Sequence, residues 1–159
     1  MLPGGCFPYA AFGHAVGLLS TYPAMNHHHV ACAIIEQDGK VLATQRSESM
    51  SLPLKWEFPG GKIKDGESAS ACLKRELSEE LGIEISVGLP LAPTTHRYRA
   101  FTVTLYPFRC RVVAGDITLH EHAALVWLPP AELHTLDWAE ADLPVIDQYR
   151  RSAGASGSR

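Results

Sequence analysis

The sequence predicts an α/β domain in which helices cover both faces of a mixed β-sheet. Short apolar runs rich in β-branched residues recur along the chain between turn signals, a pattern typical of strands. Two segments show helical periodicity instead, one beginning near position 68 and the other near position 141. Several strands with two main helices favour a layered domain built around one sheet.

The first predicted strands form a hairpin. The run VACAIIEQ, which begins at Val30, is followed by Asp38 and Gly39, a dipeptide that favours a tight two-residue turn. KVLATQR then supplies the partner strand. After the loop SESMSLPLK, the segment WEFPGGK predicts a strand that breaks at its Pro-Gly-Gly sequence.

The first helix is predicted to begin after Ser68, a favourable N-cap residue, and to end near Leu81. Gly82 stands just beyond that end, where glycine commonly closes a helix. Leu73, Leu77 and Leu81 recur every four residues, so they form the apolar stripe that faces the core.

The second half of the chain supplies the remaining elements. IEISVG predicts a strand, and the alternating runs YRAFTVTLYPFRCRVVAG and AALVWL predict antiparallel strands. PPAELHTL predicts a helical turn. The last helix is expected from near Ala141 and carries Val145, Ile146 and Tyr149.

We expect one domain over residues 26–151, an N-terminal extension over 1–25 and a disordered tail over 152–159. Met25 directly precedes the first strand, and no Lys or Arg occurs before Lys40. The basic region of a signal peptide is therefore missing. We expect the residues before Met25 to be dispensable.

Length and composition exclude some classes of protein. A length of 159 residues suits one domain with a sizeable core. The formal net charge of −3 argues against a general binder of nucleic-acid polymers. No apolar run is long enough to span a bilayer, so no membrane association is expected.

The four cysteines indicate a reducing, cytoplasmic environment. Cys6, Cys32, Cys72 and Cys110 lie far apart and form no C-x-x-C pair, so we expect free thiols. The run His27–His29 is not expected to gather around one metal, because neighbouring side chains of a strand point to opposite faces.

Three glutamates share one face of the predicted first helix. At about 100° per residue, Glu79 lies about 60° to one side of Glu76, and Glu80 lies about 40° to the other. Such like charges repel, so the face is either solvated or neutralised by a cation. A cluster of carboxylate oxygens suits Mg²⁺ or Mn²⁺.

The residues around this face favour the cation. Gly60 and Gly61 allow the backbone to approach a ligand closely, and Lys62 can meet a phosphate. Arg75 is suitably placed to hold the carboxylate of Glu76. A dication near a Lys and a glycine pair is suited to binding polyphosphate.

The segment 61–83 fits the pattern G-x5-E-x7-R-E-U-x-E-E-x-G-U at every fixed position, namely Gly61, Glu67, Arg75, Glu76, Leu77, Glu79, Glu80, Gly82 and Ile83. This resembles the Nudix box, and the chain is identified as a MutT-like member of the Nudix hydrolases. The likeness covers about Val30 to Tyr149 and includes WEFPGGK, TLHEHAALVWL and WAEADLPVI. It is greatest to the CTP pyrophosphohydrolase and 8-oxo-dGTP diphosphatase types.

The resemblance implies an α/β/α sandwich with a mixed sheet between helices. It also implies a catalytic Mg²⁺ or Mn²⁺ site and two supporting residues, Glu67 and Arg75, that orient its ligands. The implied metal ligands are the Gly60 carbonyl, Glu76, Glu79 and Glu80.

Other roles are implied for residues on both sides of the box. Arg46 and Lys62 match positions that meet phosphates, Glu57 matches the acidic residue of the preceding strand, and Asp142 matches a position that reads the base edge. The general base is left open among the three box glutamates and Glu121, a loop residue that matches a position near the metals.

The implied reaction is metal-dependent hydrolysis of a nucleoside triphosphate to a monophosphate and pyrophosphate, which would clean the nucleotide pool. The alternatives are another Nudix substrate, such as ADP-ribose or a dinucleoside polyphosphate, and a sensing module without catalysis. The complete set of box carboxylates argues against such a module. The protein is expected to be a monomer or a homodimer with a small nucleotide as its partner.

Base selectivity depends on Asp142. An ionised carboxylate only accepts hydrogen bonds, which favours a base edge with donors such as the amine of cytosine. A protonated Asp142 would also donate and could accept an oxidised purine. We therefore expect CTP or dCTP ahead of GTP, with 8-oxo-dGTP as the exception. Tyr98, Phe101 and Trp138 are available to stack on the base.

Overall fold

One parallel pair of long strands forms the centre of the sheet. The computed structural model describes residues 26–155, and the N-terminal extension and residues 156–159 lie outside that range. Strand β1 (Asn26–Gln37) pairs in parallel with β7 (Phe101–Ala114). The other strands are β2 (Lys40–Gln45), β3 (Trp56–Glu57), β4 (Gly60–Lys62), β5 (Glu84–Pro90), β6 (Thr94–Arg97) and β8 (Ala124–Leu128).

The described strands join into one mixed sheet of order β3-β2-β1-β7-β5, with β4 on β1, β6 on β7 and β8 on β2. Every pairing other than β1–β7 is antiparallel. The hairpin predicted after Gln37 is confirmed, since Gln37 pairs with Lys40. Asp38 and Gly39 have the positive φ angles of 51° and 73° that such a turn needs.

Strand β1 is buried on both faces, which explains its continuous apolar run. Ala31, Ala33 and Ile35 join the core on one side of the sheet, whereas Cys32 and Ile34 join the core on the other. Side chains alternate along a strand, so a single segment contributes to both layers.

Helix α1 (Ala69–Leu81) has the ends predicted from the sequence. The Ser68 hydroxyl accepts a hydrogen bond from the backbone N–H of Ala71 at 3.1 Å. Gly82 adopts the left-handed conformation, and its N–H donates to the carbonyl of Ser78.

The two helices cover opposite faces of the sheet, so the predicted α/β/α arrangement is confirmed. On one face, α1 buries its predicted stripe of Leu73, Leu77 and Leu81. On the other, α2 (Leu143–Ala155) packs together with a preceding 3₁₀ helix, Pro130–Thr135. The buried residues of α2 include Val145, Ile146 and Tyr149.

Both ends of α2 differ from the prediction. The helix begins at Leu143, because residues 140–142 form a 3₁₀ turn. It also continues to Ala155, so the prediction of disorder is wrong for residues 152–155. Ala153 packs against the core, and the Ser152 hydroxyl donates to the carbonyl of Tyr149 at 2.7 Å. These contacts extend the helix beyond the predicted boundary.

Strand β6 (Thr94–Arg97) was not predicted. Its sequence TTHR has little apolar character, and it forms by antiparallel pairing with the start of β7. The backbone N–H of Tyr98 donates to the carbonyl of Phe101 at 2.8 Å and closes the turn between the two strands. Tertiary pairing therefore decides this element rather than local propensity.

The described cysteines agree with the expectation of free thiols. Cys32, Cys72 and Cys110 are buried and unbridged, and Cys6 lies outside the described residues. None of the helices within residues 26–155 has the length and apolar character needed to cross a membrane.

Candidate active site

The two glycines of β4 are required by the close packing of β4 between β1 and α1. A Cβ atom at Gly60 would overlap the carbonyl of Ala31, and one at Gly61 would overlap the carboxyl group of Glu76. The Glu76 side chain therefore lies directly against the backbone of the strand.

Arg75 holds the acidic helix to the loop that precedes it. Its Nε and Nη2 atoms donate to the two carboxylate oxygens of Glu67 at 2.8 and 2.9 Å, while Nη1 donates to Glu76 Oε1 at 2.6 Å. Nη2 also lies 3.3 Å from the carbonyl of Lys62. Hydrogen bonds from Arg75 and from the backbone N–H of Lys64 lower the pKa of Glu67 to about 2. Glu67 and Arg75 are therefore placed where they can orient the Glu76 carboxylate, in line with their expected supporting role.

The box glutamates differ strongly in their surroundings. The side chain of Glu79 is 61% exposed, and its carboxylate lies 3.8 Å from Arg75 Nη1. Glu80 is partly buried, and its Oε2 atom has no hydrogen-bond partner among the described residues. Burial, followed by the charges of Glu76, Glu121 and Glu57, raises the pKa of Glu80 to about 8.

The loop of residues 115–123 docks on the C-terminal end of α1. The backbone N–H of His120 donates to the carbonyl of Glu80 at 3.1 Å, and its Nδ1 atom lies 2.8 Å from the carbonyl of Glu79. The N–H of Thr118 donates to the carbonyl of Leu81 at 2.9 Å. These bonds satisfy carbonyl groups that the helix leaves open.

This docking places the Glu121 carboxyl group beside Glu80, where hydrogen bonding and charge both act on the pKa of Glu80. The expectation that Glu121 lies near the box carboxylates agrees with this geometry. Its catalytic role stays a prediction.

The carboxylates are of the chemical type that binds a divalent cation, although their side chains do not converge on one point. Within residues 26–155, no three acidic, His or Cys side chains stand close enough together to hold a metal. Glu76 Oε1 is bonded to Arg75, and Glu79 is largely exposed. The Oε2 atom of Glu80 is buried without a hydrogen-bond partner among the described residues, and three other carboxylates act on this side chain. Such an oxygen is nonetheless a suitable ligand for a cation.

Two adjoining cavities of about 260 and 380 Å³ form one cleft beside this acidic face. The first cavity, called here the acidic end, reaches Gly60, Gly61 and Glu80. The second, called the aromatic end, reaches Tyr98 and Phe101. Both are lined by Val30, Arg46, Glu57, Lys62, Leu105 and Asp142.

The arginine and the glutamate in the middle of the cleft are bonded to each other. Arg46 Nη1 lies 2.6 Å from Glu57 Oε2, and Arg46 Nε donates to the carbonyl of Ser51 at 2.6 Å. Glu57 Oε1 lies 3.0 Å from His122 Nε2. The sequence did not single out His122, because a lone histidine in a loop matches no motif and its burial depends on how that loop docks.

The three candidate stacking residues separate into two groups. Tyr98 and Phe101 line the aromatic end, with ring centroids 4.8 Å apart. Trp138 is only 3% exposed, packs on Phe58 and donates its indole N–H to the carbonyl of Leu133 at 2.6 Å. Trp138 is therefore a core residue, and of the three available rings only Tyr98 and Phe101 line the cleft.

Asp142 ends the 3₁₀ turn before α2, where it is buried and lines the cleft. Its Oδ1 atom accepts a hydrogen bond from the backbone N–H of Phe58 at 3.1 Å. Burial and the nearby charge of Glu57 raise the pKa of Asp142 well above its usual value. This shift is toward the protonated form, whereas the expected CTP preference assumes an ionised carboxylate.

Comparisons with known proteins agree with this geometry. The NUDIX domain family matches residues 25–149. The CTP pyrophosphohydrolase of Escherichia coli is 39% identical over 120 residues, which are 76% of this chain and 89% of that protein. A candidate 8-oxo-dGTP diphosphatase of Mycobacterium tuberculosis is 36% identical over 141 residues, covering 84% and 95% of the two chains. The solution structure of the Escherichia coli ORF135 protein superposes with a TM-score of 0.72 at 36% identity, covering 85% of this chain and 96% of the other.

The raised pKa of Glu80 should make the metal-free protein less stable as the pH rises. The folded chain keeps a proton on Glu80 up to about pH 8, whereas the unfolded chain releases it near its ordinary value of 4.5. The stabilisation is full below pH 4.5 and is lost as the pH rises through 8. The expected slope is at most ~1.4 kcal/mol per pH unit.

Glu80→Gln resembles the protonated side chain, so the free energy of unfolding in urea should fall less between pH 5 and pH 8 than in the native chain. Glu79→Gln, which changes an exposed carboxylate, serves as the control and should keep the native slope. Equal slopes for Glu80→Gln and the native protein would show that Glu80 ionises freely in the folded state.

Proposed function

The chain belongs to the NUDIX domain family, and from that premise we propose that it hydrolyses nucleoside triphosphates to a monophosphate and pyrophosphate. The observation that carries the proposal is the single cleft that reaches the box residue Glu80 at one end and the rings of Tyr98 and Phe101 at the other. Lys62 lines both parts, where its ammonium group can neutralise phosphate. The names of the CTP pyrophosphohydrolase and 8-oxo-dGTP diphosphatase relatives support the same reaction class.

In the proposed mechanism the cation would be held at and beside the acidic end by Glu76, Glu79, Glu80 and the Gly60 carbonyl. When bound, a divalent cation neutralises phosphate charge and makes water easier to deprotonate. Arg75 keeps Glu76 turned toward the strand, and this fixes one ligand before substrate arrives.

The proton lost by the attacking water passes to a carboxylate at the same end. Glu121 is suited to this role because it is exposed and stands beside Glu80. The water oxygen forms a new bond to one of the two phosphorus atoms that flank the α–β bridging oxygen. The bond between that phosphorus and the bridging oxygen breaks, which separates the monophosphate from pyrophosphate. The pool of nucleoside triphosphates is the implied source of substrate.

The aromatic end would receive the base, with Tyr98 and Phe101 as stacking surfaces. Asp142 has one oxygen engaged by Phe58 and is favoured in its protonated form, so its hydroxyl can donate to a base carbonyl. This arrangement suits an oxidised purine such as 8-oxo-dGTP, whereas the sequence analysis expected CTP or dCTP to be preferred. We propose that 8-oxo-dGTP is hydrolysed at least as well as CTP.

We also propose a cytoplasmic location, which the free thiols of Cys32, Cys72 and Cys110 support. The protein is proposed to act on free nucleotides as a monomer or a homodimer.

The metal-binding role predicts that Glu79→Gln and Glu80→Gln each lower turnover by about two orders of magnitude or more, because each removes a charged ligand of the cation. Pyrophosphate release from CTP, dCTP, GTP and 8-oxo-dGTP should be measured with Mg²⁺ and with chelator. Glu84→Gln, an exposed position at the start of β5, is the matched control and should retain native turnover. Near-native activity of both box variants, or activity in chelator, would contradict the proposal.

The role of Glu121 in proton transfer predicts that Glu121→Gln lowers kcat by about 10²-fold or more while KM changes little. An ionised base acts in the transition state rather than in substrate binding, whereas the neutral amide cannot accept the proton. Steady-state kinetics with the best nucleotide of the screen provides the measurement. An unchanged kcat would leave Glu121 as an ordinary exposed loop residue.

The protonated state of Asp142 predicts that Asp142→Asn keeps kcat/KM for every nucleotide within about threefold, because an amide also offers a donor and an acceptor. Asp142→Leu has a similar size and lacks both. It should lose about 10- to 100-fold with the best substrate. If Asp142→Asn instead reverses the order of CTP and 8-oxo-dGTP, the native side chain acts as an ionised carboxylate.

A further inference from the structure

His122 is a buried histidine in the cleft with one bonded nitrogen and one free nitrogen. Its side chain is only 2% exposed and lines the acidic end. Nε2 lies 3.0 Å from Glu57 Oε1, and Nδ1 has no hydrogen-bond partner among the described residues. Burying a ring nitrogen without a hydrogen bond is unfavourable. The contact between Nε2 and Glu57 is the hydrogen bond that compensates for burial of this ring.

The bond to Glu57 is the first of a continuous series. Carboxylate oxygens accept hydrogen bonds, so we assign the ring N–H to Nε2, which donates the hydrogen bond to Glu57. The other oxygen of Glu57 accepts from Arg46 Nη1 at 2.6 Å. Arg46 in turn donates from Nε to the carbonyl of Ser51 at 2.6 Å and from Nη2 to the Ser51 hydroxyl at 3.0 Å.

This series crosses the cleft from one loop to another. It begins one residue after Glu121 and ends on the loop of residues 46–55, where Ser51 and Leu52 line the aromatic end. That loop is closed by two backbone hydrogen bonds, Leu54 N–H to the Arg46 carbonyl at 3.1 Å and Arg46 N–H to the Lys55 carbonyl at 2.9 Å.

The loop also contains backbone conformations that need support. Leu52 and Leu54 have φ angles of 52° and 61°, a left-handed region that residues other than glycine rarely adopt. Such conformations persist only where surrounding contacts hold them. The three donors that Arg46 directs to Ser51 and Glu57 are contacts of this kind.

We propose that His122 is a positioning residue that acts through Glu57. By fixing the Glu57 carboxylate it fixes the direction of the Arg46 guanidinium, and thereby the loop that borders the aromatic end. His122 therefore links the position of the loop that carries Glu121 to the shape of the nucleotide-binding end.

The first test needs no nucleotide and so does not depend on the proposed reaction. Gln places an amide near the position of Nε2 and can still donate to Glu57, whereas Ala cannot. Hydrogen–deuterium exchange at the Leu54 amide should be about tenfold faster in His122→Ala and near native in His122→Gln. His134→Ala, an exposed histidine, is the control, and the amide of Leu77 in α1 reports on global stability.

Equal exchange at Leu54 in His122→Ala and the native protein would overturn the proposal. Equal acceleration at Leu54 and Leu77 would also overturn it, because the histidine would then stabilise the whole domain rather than this loop.

The second test rests on the proposed function and uses the nucleotide preferred in the substrate screen. His122→Ala should raise KM about tenfold with a smaller change in kcat, and His122→Gln should restore both to within about threefold. Combining His122→Ala with Glu57→Gln should add little to the effect of Glu57→Gln alone, since the two residues act through one contact. A kcat loss in His122→Gln at unchanged KM would overturn the positioning role and place Nδ1 in direct contact with the reacting groups.

Discussion

The contact between the Glu76 carboxyl group and the backbone of Gly61 is the constraint on which the site depends. It requires β4 to have no side chain at that position, and it brings the acidic face of α1 against the sheet. Arg75 then secures the contact from the other side by bonding both Glu76 and Glu67. Glycine in the strand and arginine in the helix therefore serve one purpose, which is to hold the Glu76 carboxylate against β4 beside the cleft.

The same packing creates an electrostatic cost in the metal-free chain. Glu80 lies partly buried among Glu76, Glu121 and Glu57, and its pKa rises to about 8. If the chain's own cations relieved this repulsion, they would block the proposed site for a dication. Arg75 accordingly bonds Glu67 and Glu76, while the oxygen of Glu80 is left without a partner among residues 26–155. The unsatisfied carboxylate is a feature expected of a site prepared for an external charge.

The cleft is shaped by loops as much as by the sheet. The segment 115–123 satisfies the terminal carbonyls of α1 and carries both Glu121 and His122. His122 faces Glu57, and Glu57 pairs with Arg46 at the entrance of a second loop. Two loops that are distant in sequence thus meet through one carboxylate on the short edge strand β3. This explains how the acidic and aromatic ends can belong to a single cleft.

Local sequence determined the elements whose signals are periodic or stereochemical. The leucine stripe and both ends of α1, the turn at Asp38 and Gly39, and the box glutamates could all be read directly, because each depends on neighbours within a few residues. The short strand Thr94–Arg97, the helical residues 152–155 and the burial of His122 could not, because each depends on segments that pack from elsewhere. The raised pKa of Asp142 is of the same kind, since desolvation exists only after the 3₁₀ turn that carries Asp142 has packed into the folded domain. Sequence alone therefore determined the residue types of the candidate site, whereas the tertiary structure decided their pKa shifts and hydrogen-bond partners, because both depend on burial by distant parts of the chain.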